Sequence, residues 1–294
     1  MKMYFFRGAS PNFGDELNTW LLPKVFPDLF DEDERQMFLG IGSILFDDHP
    51  PTSQKIVFGS GYAGYTKLPK FDESWRIYCV RGPHTARACN LNPEKVAADT
   101  AILIARFRCK NNNPTNGCSF MPHWASVGRG HWAQVSKMAG IHYIDPTKPV
   151  EEVLADIQSS KMLITEAMHG AVVADALRVP WIAALPFHVS HRMKWFDWAE
   201  ALDIKVSHYK IWPSSLREAR SAQTQADALR LKNPSGYLKA GMRAIDWGFT
   251  YFAAAQLTRI RKQEPTLSPD ASLIRALSRL EDNAAIIRRD FCAA

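Results

Sequence analysis

Short apolar runs that end in glycine or in a polar turn recur along the first two thirds of the chain. Met3–Phe6 is aromatic and leads into Gly8, Ser10, Pro11, Asn12 and Gly14, the pattern of a strand feeding a turn-rich loop. Asp15–Leu22 takes helical spacing, with Asp15 and Glu16 in the first turn, where the helix dipole favours carboxylates. Met37–Ile41 closes on Gly40, Gly42 and Ser43, Lys55–Phe58 on Gly59, Ser60 and Gly61, and Arg76–Val80 on Arg81, Gly82 and Pro83. Pro83 suits the first turn of a helix that carries Ala86–Asn90. A further apolar segment, Val96–Ile104, is interrupted by Asp99.

The Asn-rich, basic stretch Arg106–Gly117 reads as an exposed linker, and the alternation then restarts. Strands are expected at Cys118–Met121, Ile141–Ile144, Lys161–Thr165 and Trp181–Leu185. Helices are expected at Trp132–Ala139, Val150–Ser159 and Met168–Leu177. Repeated βα units with Gly-rich turns argue for parallel sheets covered by helices. The expected fold is therefore α/β, with two Rossmann-like domains, 1–110 and 111–208, facing a cleft, and a helical C-terminal extension over 209–294. In open α/β sheets ligands sit beyond the carboxyl ends of the strands, so the turns just named are the expected walls of a site. In the extension, Ser214–Leu231 reads as a polar helix, Asn233–Gly236 as a turn and Tyr237–Arg261 as a long helix. That helix carries Trp247, Phe249, Tyr251, Phe252 and Leu257 and ends in Arg259, Arg261 and Lys262. Packing of the aromatic stripe on the core is the preferred reading; rest on a membrane surface is the other.

Composition narrows the function classes. Of 294 residues 46% are hydrophobic and 22% charged, an ordinary globular balance that leaves room for a sizeable core. The net charge of +6 suits an anionic substrate or an acidic membrane surface. With no zinc-finger spacing, RNP-type motif or long Lys/Arg run, nucleic acid is not expected as a partner. The five cysteines are irregularly spaced with no CxxC, so reduced thiols are expected. The N-terminus turns polar too soon for a signal peptide, and no run of about 20 apolar residues is present to span a bilayer.

Six segments could carry chemistry. Asn12, Gly14 and Asp15 stand in a loop opening a helix, whose amides suit an anion; on spacing alone a helix cap is preferred. The turns Gly40–Ser43 and Gly59–Tyr62 permit close backbone approach, or are plain tight turns. Arg81, at a strand end, can grip a phosphate or carboxylate with its planar fork, or make an ordinary ion pair. His123 follows a strand, and Trp124 beside it could stack on a sugar ring; a hydrogen-bonded structural histidine is the plainer reading. The richest segment runs from Ile164 to Pro180, where Glu166 ends a strand and His169 opens an Ala-rich helix. At that positive helix end bound phosphate is favoured, and a histidine can donate a proton. The last segment, Phe187–Trp198, gathers two His, Arg192, Lys194 and two Trp, as an anionic donor beside a sugar would require; a structural amphipathic helix is the alternative.

Taken in order, NFGDELN, GIGS, FGSG, VRGP, ADTAIL, MPHW and EAMHGAVVADALRVPWIAAL resemble the polysaccharide pyruvyltransferase family over about residues 1–200, nearest the succinoglycan-type ketal pyruvyltransferases of exopolysaccharide assembly. The resemblance implies a two-Rossmann fold like that of GT-B glycosyltransferases, phosphoenolpyruvate as donor co-substrate, and neither metal nor other cofactor. Carried over, His169 matches the HG histidine, Arg81 the RGP arginine, Asn12, Gly14 and Asp15 the GD loop, and His123 the PH histidine. Lys194 falls near a basic position of the family. Many members have an arginine two residues before the HG histidine, where this chain has Ala167. Arg81, Arg192 or Lys194 is then the expected substitute contact, and Glu166 would mark a different acceptor geometry. On this reading His169 is the acid or phosphate stabiliser, Arg81 and Lys194 are anion clamps, and Asp15 or Glu166 is the base toward the sugar. The acceptor is a saccharide, on a lipid carrier at the cytoplasmic membrane face if charge and resemblance are taken together. Two rivals are a nucleotide-sugar glycosyltransferase of GT-B type, for which no ribose-binding carboxylate is evident since Asp175 lies inside its helix, and a non-catalytic assembly subunit.

Overall fold

The computed structural model describes residues 1–8, 10–108, 111, 113–225 and 238–291, with side chains from 245 onward in the last stretch. Two all-parallel sheets dominate it. The first contains β1 (Lys2–Tyr4), β2 (Gln36–Leu39), β3 (Gln54–Ser60) and β4 (Trp75–Val80), in spatial order β1-β2-β3-β4. Helix α1 (Phe13–Val25) connects β1 to β2, and α2 (Pro83–Ala88) follows β4 with Pro83 in its first turn. The apolar segment after Val96 forms a 3-10 stretch, Thr100–Arg106, because the Asp99 carboxylate accepts the Ala101 N–H and starts a tight turn there.

The second sheet contains β5 (Asn116–Met121), β6 (His142–Tyr143), β7 (Ser160–Thr165), β8 (Trp181–Ala184) and β9 (His208–Tyr209), in order β6-β5-β7-β8-β9. Its helices are α3 (Trp124–Val127), α4 (Trp132–Ala139), α5 (Val150–Gln158), α6 (Met168–Ala176) and α7 (Met193–Ala201). From β5 the chain goes to one side for β6 and then to the other for β7. Such a reversal opens a crevice at the carboxyl ends of the two central strands. His123 follows β5 and Glu166 follows β7, so both stand at that crevice.

The C-terminal region is distributed over both sheets. Helix α8 (Leu216–Thr224) and α9 (Leu238–Ile260) lie with the second, where Ala253, Ala254, Leu257 and Ile260 join a cluster with Phe120, Trp132 and Ile164. Helix α10 (Asp270–Phe291) returns to the first sheet and buries Leu273, Leu277, Leu280 and Ile287 in the largest core cluster. That cluster also contains Leu17 and Leu21 of α1, Ile102 and Ile104 of the 3-10 stretch, and Ala171 and Val172 of α6. One continuous apolar core therefore joins the two sheets. The turn expected at Asn233–Gly236 lies outside the described residues. The stripe of α9 packs on the core only in part: Leu257 is buried and Phe249 half-buried, but Trp247, Tyr251 and Phe252 are more than half exposed.

Candidate active site

The carboxyl ends of the two sheets meet at His169. Helix α6 is buried along its length, Met168 and Gly170–Ala176 included, and His169 alone keeps part of its side chain accessible. Gly170 explains why the helix lies so close to its sheet: a Cβ there would stand 2.6 Å from Thr165 Oγ1 and 2.9 Å from Met121 S. No side chain caps the first turn of α6, so its positive end is not satisfied by a cap.

Three residues of the first half surround His169. Gly14, in the first turn of α1, lies flat against the imidazole; a Cβ there would fall 2.7 Å from His169 Cγ and closer still to Nδ1. Asp99, wholly buried, places Oδ2 3.5 Å from His169 Nε2. That is ion-pair range but too long for a good hydrogen bond, and both atoms lack a hydrogen-bond partner. Burial alone would raise the Asp99 pKa; the charges of His169 and Arg81 and the Ala101 N–H outweigh it and hold the carboxylate below its ordinary range. Asp15 is the third. Burial raises its pKa, opposed by the Asn12 amide, whose Nδ2 donates to Oδ2 at 2.7 Å, and by the charges of His169 and Lys194. The open side of Asp15 faces Gly42, whose φ of +132° suits glycine and whose missing side chain leaves Oδ1 accessible. Asn18 ties α1 to the turn after β2, donating to Ile41 O and accepting the Ile41 N–H, so Asp15 and Gly42 keep their spacing.

Lys194 reaches in from the start of α7. Desolvation lowers its pKa to about 8, with Asp15 and Asp99 raising it and Arg81 lowering it further. His169, Asp99, Asp15 and Lys194 thus form one partly charged group drawn from both halves, with Asp99 buried and the other three partly accessible.

On the second-sheet side, His123 stacks on His191 with ring centroids 4.6 Å apart. His123 Nδ1 accepts the Ala125 N–H at 3.3 Å and caps α3, which leaves Nε2 to carry the proton of the neutral ring. Burial pushes His123 well below the ordinary histidine range, and His191, Lys194, Arg129 and His188 push it further. His191 falls to about 3 for the same reasons, burial first and then Lys194, His188 and Arg129. Arg129 is buried, donating to Ala125 O, to His188 Nε2 at 2.7 Å and to Ser221 Oγ at 2.8 Å. Trp124, beside His123, is half-buried and borders Gly8. Arg192 donates to Pro186 O at 3.1 Å and stays partly accessible.

Two expected site residues sit beneath the site instead of on its surface. Arg81 is fully buried. Its Nε meets Asp197 Oδ2 at 2.9 Å, and its other nitrogens donate to Ser43 Oγ and Tyr62 O. Gly61 makes room for it, since a Cβ there would lie 2.5 Å from Arg81 Nε. With its fork committed, Arg81 is a rivet between β4 and α7. Glu166 is likewise engaged: its oxygens accept the N–H groups of His123 at 2.9 Å and Phe187 at 3.3 Å. Burial raises its pKa against those hydrogen bonds. Asp175 is also spoken for, holding Trp181 Nε1, Ser268 N and Ser268 Oγ, which fixes the approach to α10.

Asp99, Asp197 and Arg129 were not among the expected site residues. A lone carboxylate inside an apolar run is the available signal for Asp99; Asp197 lies inside the Phe187–Trp198 segment without being singled out, and Arg129 has no signal. Among the described residues no group of three or more His, Cys, Asp or Glu is arranged to hold a metal ion.

The family model described as polysaccharide pyruvyl transferase matches residues 50–185, which contain Arg81, Asp99, His123, Glu166 and His169. The succinoglycan biosynthesis protein ExoV of Rhizobium meliloti (strain 1021) is 34% identical over 223 residues, covering 74% of this chain and 70% of that protein. No solved structure matches the chain. On the strength of that relative and the family model, the chain belongs to the polysaccharide pyruvyl transferase family.

Proposed function

We propose that the chain transfers the enolpyruvyl unit of phosphoenolpyruvate to a sugar of an exopolysaccharide repeat unit, forms a pyruvate ketal and releases phosphate, in a GT-B-like cleft between its two sheets. The observation that carries this reading is the largely enclosed group of His169, Asp99, Asp15 and Lys194, bordered by Arg129, His123 and His191. It offers an acid, a base and cations within one desolvated space, where electrostatic contacts are strongest.

The chemistry needs each of these. A proton is added to the enol CH2, which becomes a methyl group, and C2 gains oxocarbenium character. A sugar hydroxyl attacks C2 and gives up its proton. The C–O bond to phosphate breaks, phosphate leaves with that electron pair, and a second hydroxyl closes the ketal as its own proton is lost. His169, held toward Asp99, is the acid. Asp15, with one oxygen open beside Gly42 and a pKa raised toward working pH, is the base toward the first hydroxyl. Lys194 and the uncapped end of α6 take the phosphate and carboxylate charge. The missing family arginine at Ala167 is answered by Lys194, because Arg81 is fully buried and each of its three nitrogens already has a partner within the fold. Trp124 offers a face for the sugar ring. Arg81 and Glu166 act by positioning: the first fixes α7, the second fixes the backbone of His123.

Incubation of the protein with phosphoenolpyruvate and short β-glucoside or β-galactoside acceptors, read by mass spectrometry and phosphate release, tests this directly. A pyruvyl mass increment that His169→Ala abolishes supports it. No product on any acceptor, no binding of phosphoenolpyruvate by calorimetry, and binding of a nucleotide-sugar instead would replace it with a glycosyltransferase.

A further inference from the structure

We infer that the outer face of α9 is a docking surface for a bilayer carrying anionic headgroups. Ile245, Trp247, Tyr251 and Phe252 of that helix are each more than half exposed, and Trp212 joins them from the loop before α8 at 51% exposure. The rings form a continuous patch: Trp247 stacks on Tyr251 at 5.8 Å, Tyr251 meets Phe252 edge-on at 5.9 Å, and Phe252 contacts Trp212 at 6.0 Å. Among the described residues the core does not cover this face. The opposite side of α9 is already packed, through Ala253, Ala254, Leu257 and Ile260.

The charges around the patch identify the partner. From Tyr209 to Lys262 the described side chains include Lys210, Arg217, Arg220, Arg259, Arg261 and Lys262. Glu218 and Asp246 are the carboxylates among them, and both are turned to internal donors: Glu218 holds Trp132 and Ser214, and Asp246 holds the Leu216 N–H. Along α9, Arg259 follows Phe252 by seven residues, on the same helical face, and Lys262 stands just past the helix end at Ile260. An aromatic band rich in Trp and Tyr, with basic residues beside it, matches a membrane interface, where amphipathic rings sit at headgroup depth and lysine and arginine meet lipid phosphate. A second copy of the chain is a poorer fit, since a two-fold pairing would set this basic surface against itself. Among the described residues no helix is long and apolar enough to cross a membrane, so the contact is one of lying on the surface.

The test is co-sedimentation of the full chain with vesicles of phosphatidylcholine alone and of phosphatidylcholine with 30% phosphatidylglycerol, at low and high salt. Binding to the anionic vesicles, weakened by salt and absent from the neutral ones, is expected. Trp247→Ser/Phe252→Ser should reduce it at least tenfold, and Arg259→Ala/Lys262→Ala on the order of tenfold at low salt. Circular dichroism checks that both variants remain folded. No binding to anionic vesicles overturns the proposal, as does binding that neither double substitution weakens. A dimer in sedimentation velocity that Trp247→Ser/Phe252→Ser dissociates, without vesicle binding, would assign the face to a second copy. None of these readouts uses the transfer reaction, so the outcome stands apart from that of the proposed function.

Discussion

Gly14→Ala tests the geometry at its tightest point. A methyl group on residue 14 would stand 2.7 Å from His169 Cγ and 3.0 Å from Cε1, where carbon contacts prefer about 3.5–4.0 Å. Neither side yields easily, because the flanking Phe13 and Leu17 of α1 are buried at 1% and 0% exposure, and α6 is buried on both sides of His169. The imidazole must therefore turn or retreat by about 1 Å, and its 3.5 Å approach to Asp99 is lost. A misplacement of roughly 1 Å costs about 10²-fold in rate, or about 2.7 kcal/mol of transition-state stabilisation.

Backbone propensity acts in the opposite direction, since alanine in a helix is preferred to glycine by about 0.5–1 kcal/mol. That gain offsets part of the overpacking cost of about 1–3 kcal/mol, so a loss of activity out of proportion to any fall in urea midpoint is the expected signature. The assay is acceptor-dependent phosphate release from phosphoenolpyruvate, with kcat/KM compared among the parent, Gly14→Ala and Gly128→Ala. Gly128 has a φ of −80° and no neighbour that a Cβ would meet within 4 Å, so its variant should match the parent. Gly14→Ala within threefold of the parent would refute the proposed packing of Gly14 on a working His169.

Other consequences are equally specific. Asp99→Asn keeps a cap for the Ala101 N–H but removes the charge facing His169; kcat should fall on the order of 10²-fold or more with little change in urea midpoint. Lys194 works as an ammonium with a pKa of about 8, so kcat/KM for the anionic donor should fall as pH rises through 8, and Lys194→Arg should remove that limb. Because the folded pKa lies below the unfolded 10.5, the unfolded chain holds more protons between these values; this group's contribution to stability rises with pH there, and the limb is not unfolding. Asp197→Ala leaves the Arg81 charge buried without its counter-ion and should cost roughly 3–5 kcal/mol by urea denaturation.

What could be read from the sequence followed from local physics. Apolar runs closed by glycine located β2, β3 and β4 to within about two residues; β2 and β3 are buried on both faces, as an unbroken apolar run implies, whereas the edge strand β4 is buried only at its end. The HG turn was legible for a similar reason: small residues after His169 predict a helix pressed against its sheet, and Gly170 against Thr165 and Met121 is that contact. Non-local matters were hidden. The partner of Arg81 lies 116 positions away, and nothing near residue 81 distinguishes an arginine aimed at a ligand from one aimed at Asp197. Leu273, Leu277, Leu280 and Ile287 of α10 have helical spacing, but spacing does not say which sheet a helix will cover. The stripe of α9 misled because apolar faces usually serve a core; here the alanines opposite it do so.

The Arg81–Asp197 pair shows how a residue can matter to the chemistry without touching it. Asp197 Oδ2 takes Arg81 Nε and the Thr85 hydroxyl, while Oδ1 takes the Thr85 N–H. Helix α7 belongs to the second half by sequence, yet this carboxylate fastens it to the end of β4 and the start of α2 in the first. Gly82 allows the approach, since a Cβ there would lie 2.6 Å from the Asp197 carbonyl carbon. Lys194 stands one helical turn before Asp197 on the same helix, so the anchor that fixes Asp197 also directs Lys194 toward Asp15. A buried ion pair is weak support for stability in itself, because desolvation consumes most of its Coulomb energy. Its geometric demand is strict, however, and here that demand sets the position of the cation proposed to hold the donor. The RGP arginine thus supports anion binding one step removed: it places a lysine that binds, in a chain where alanine stands at the position many relatives give to arginine.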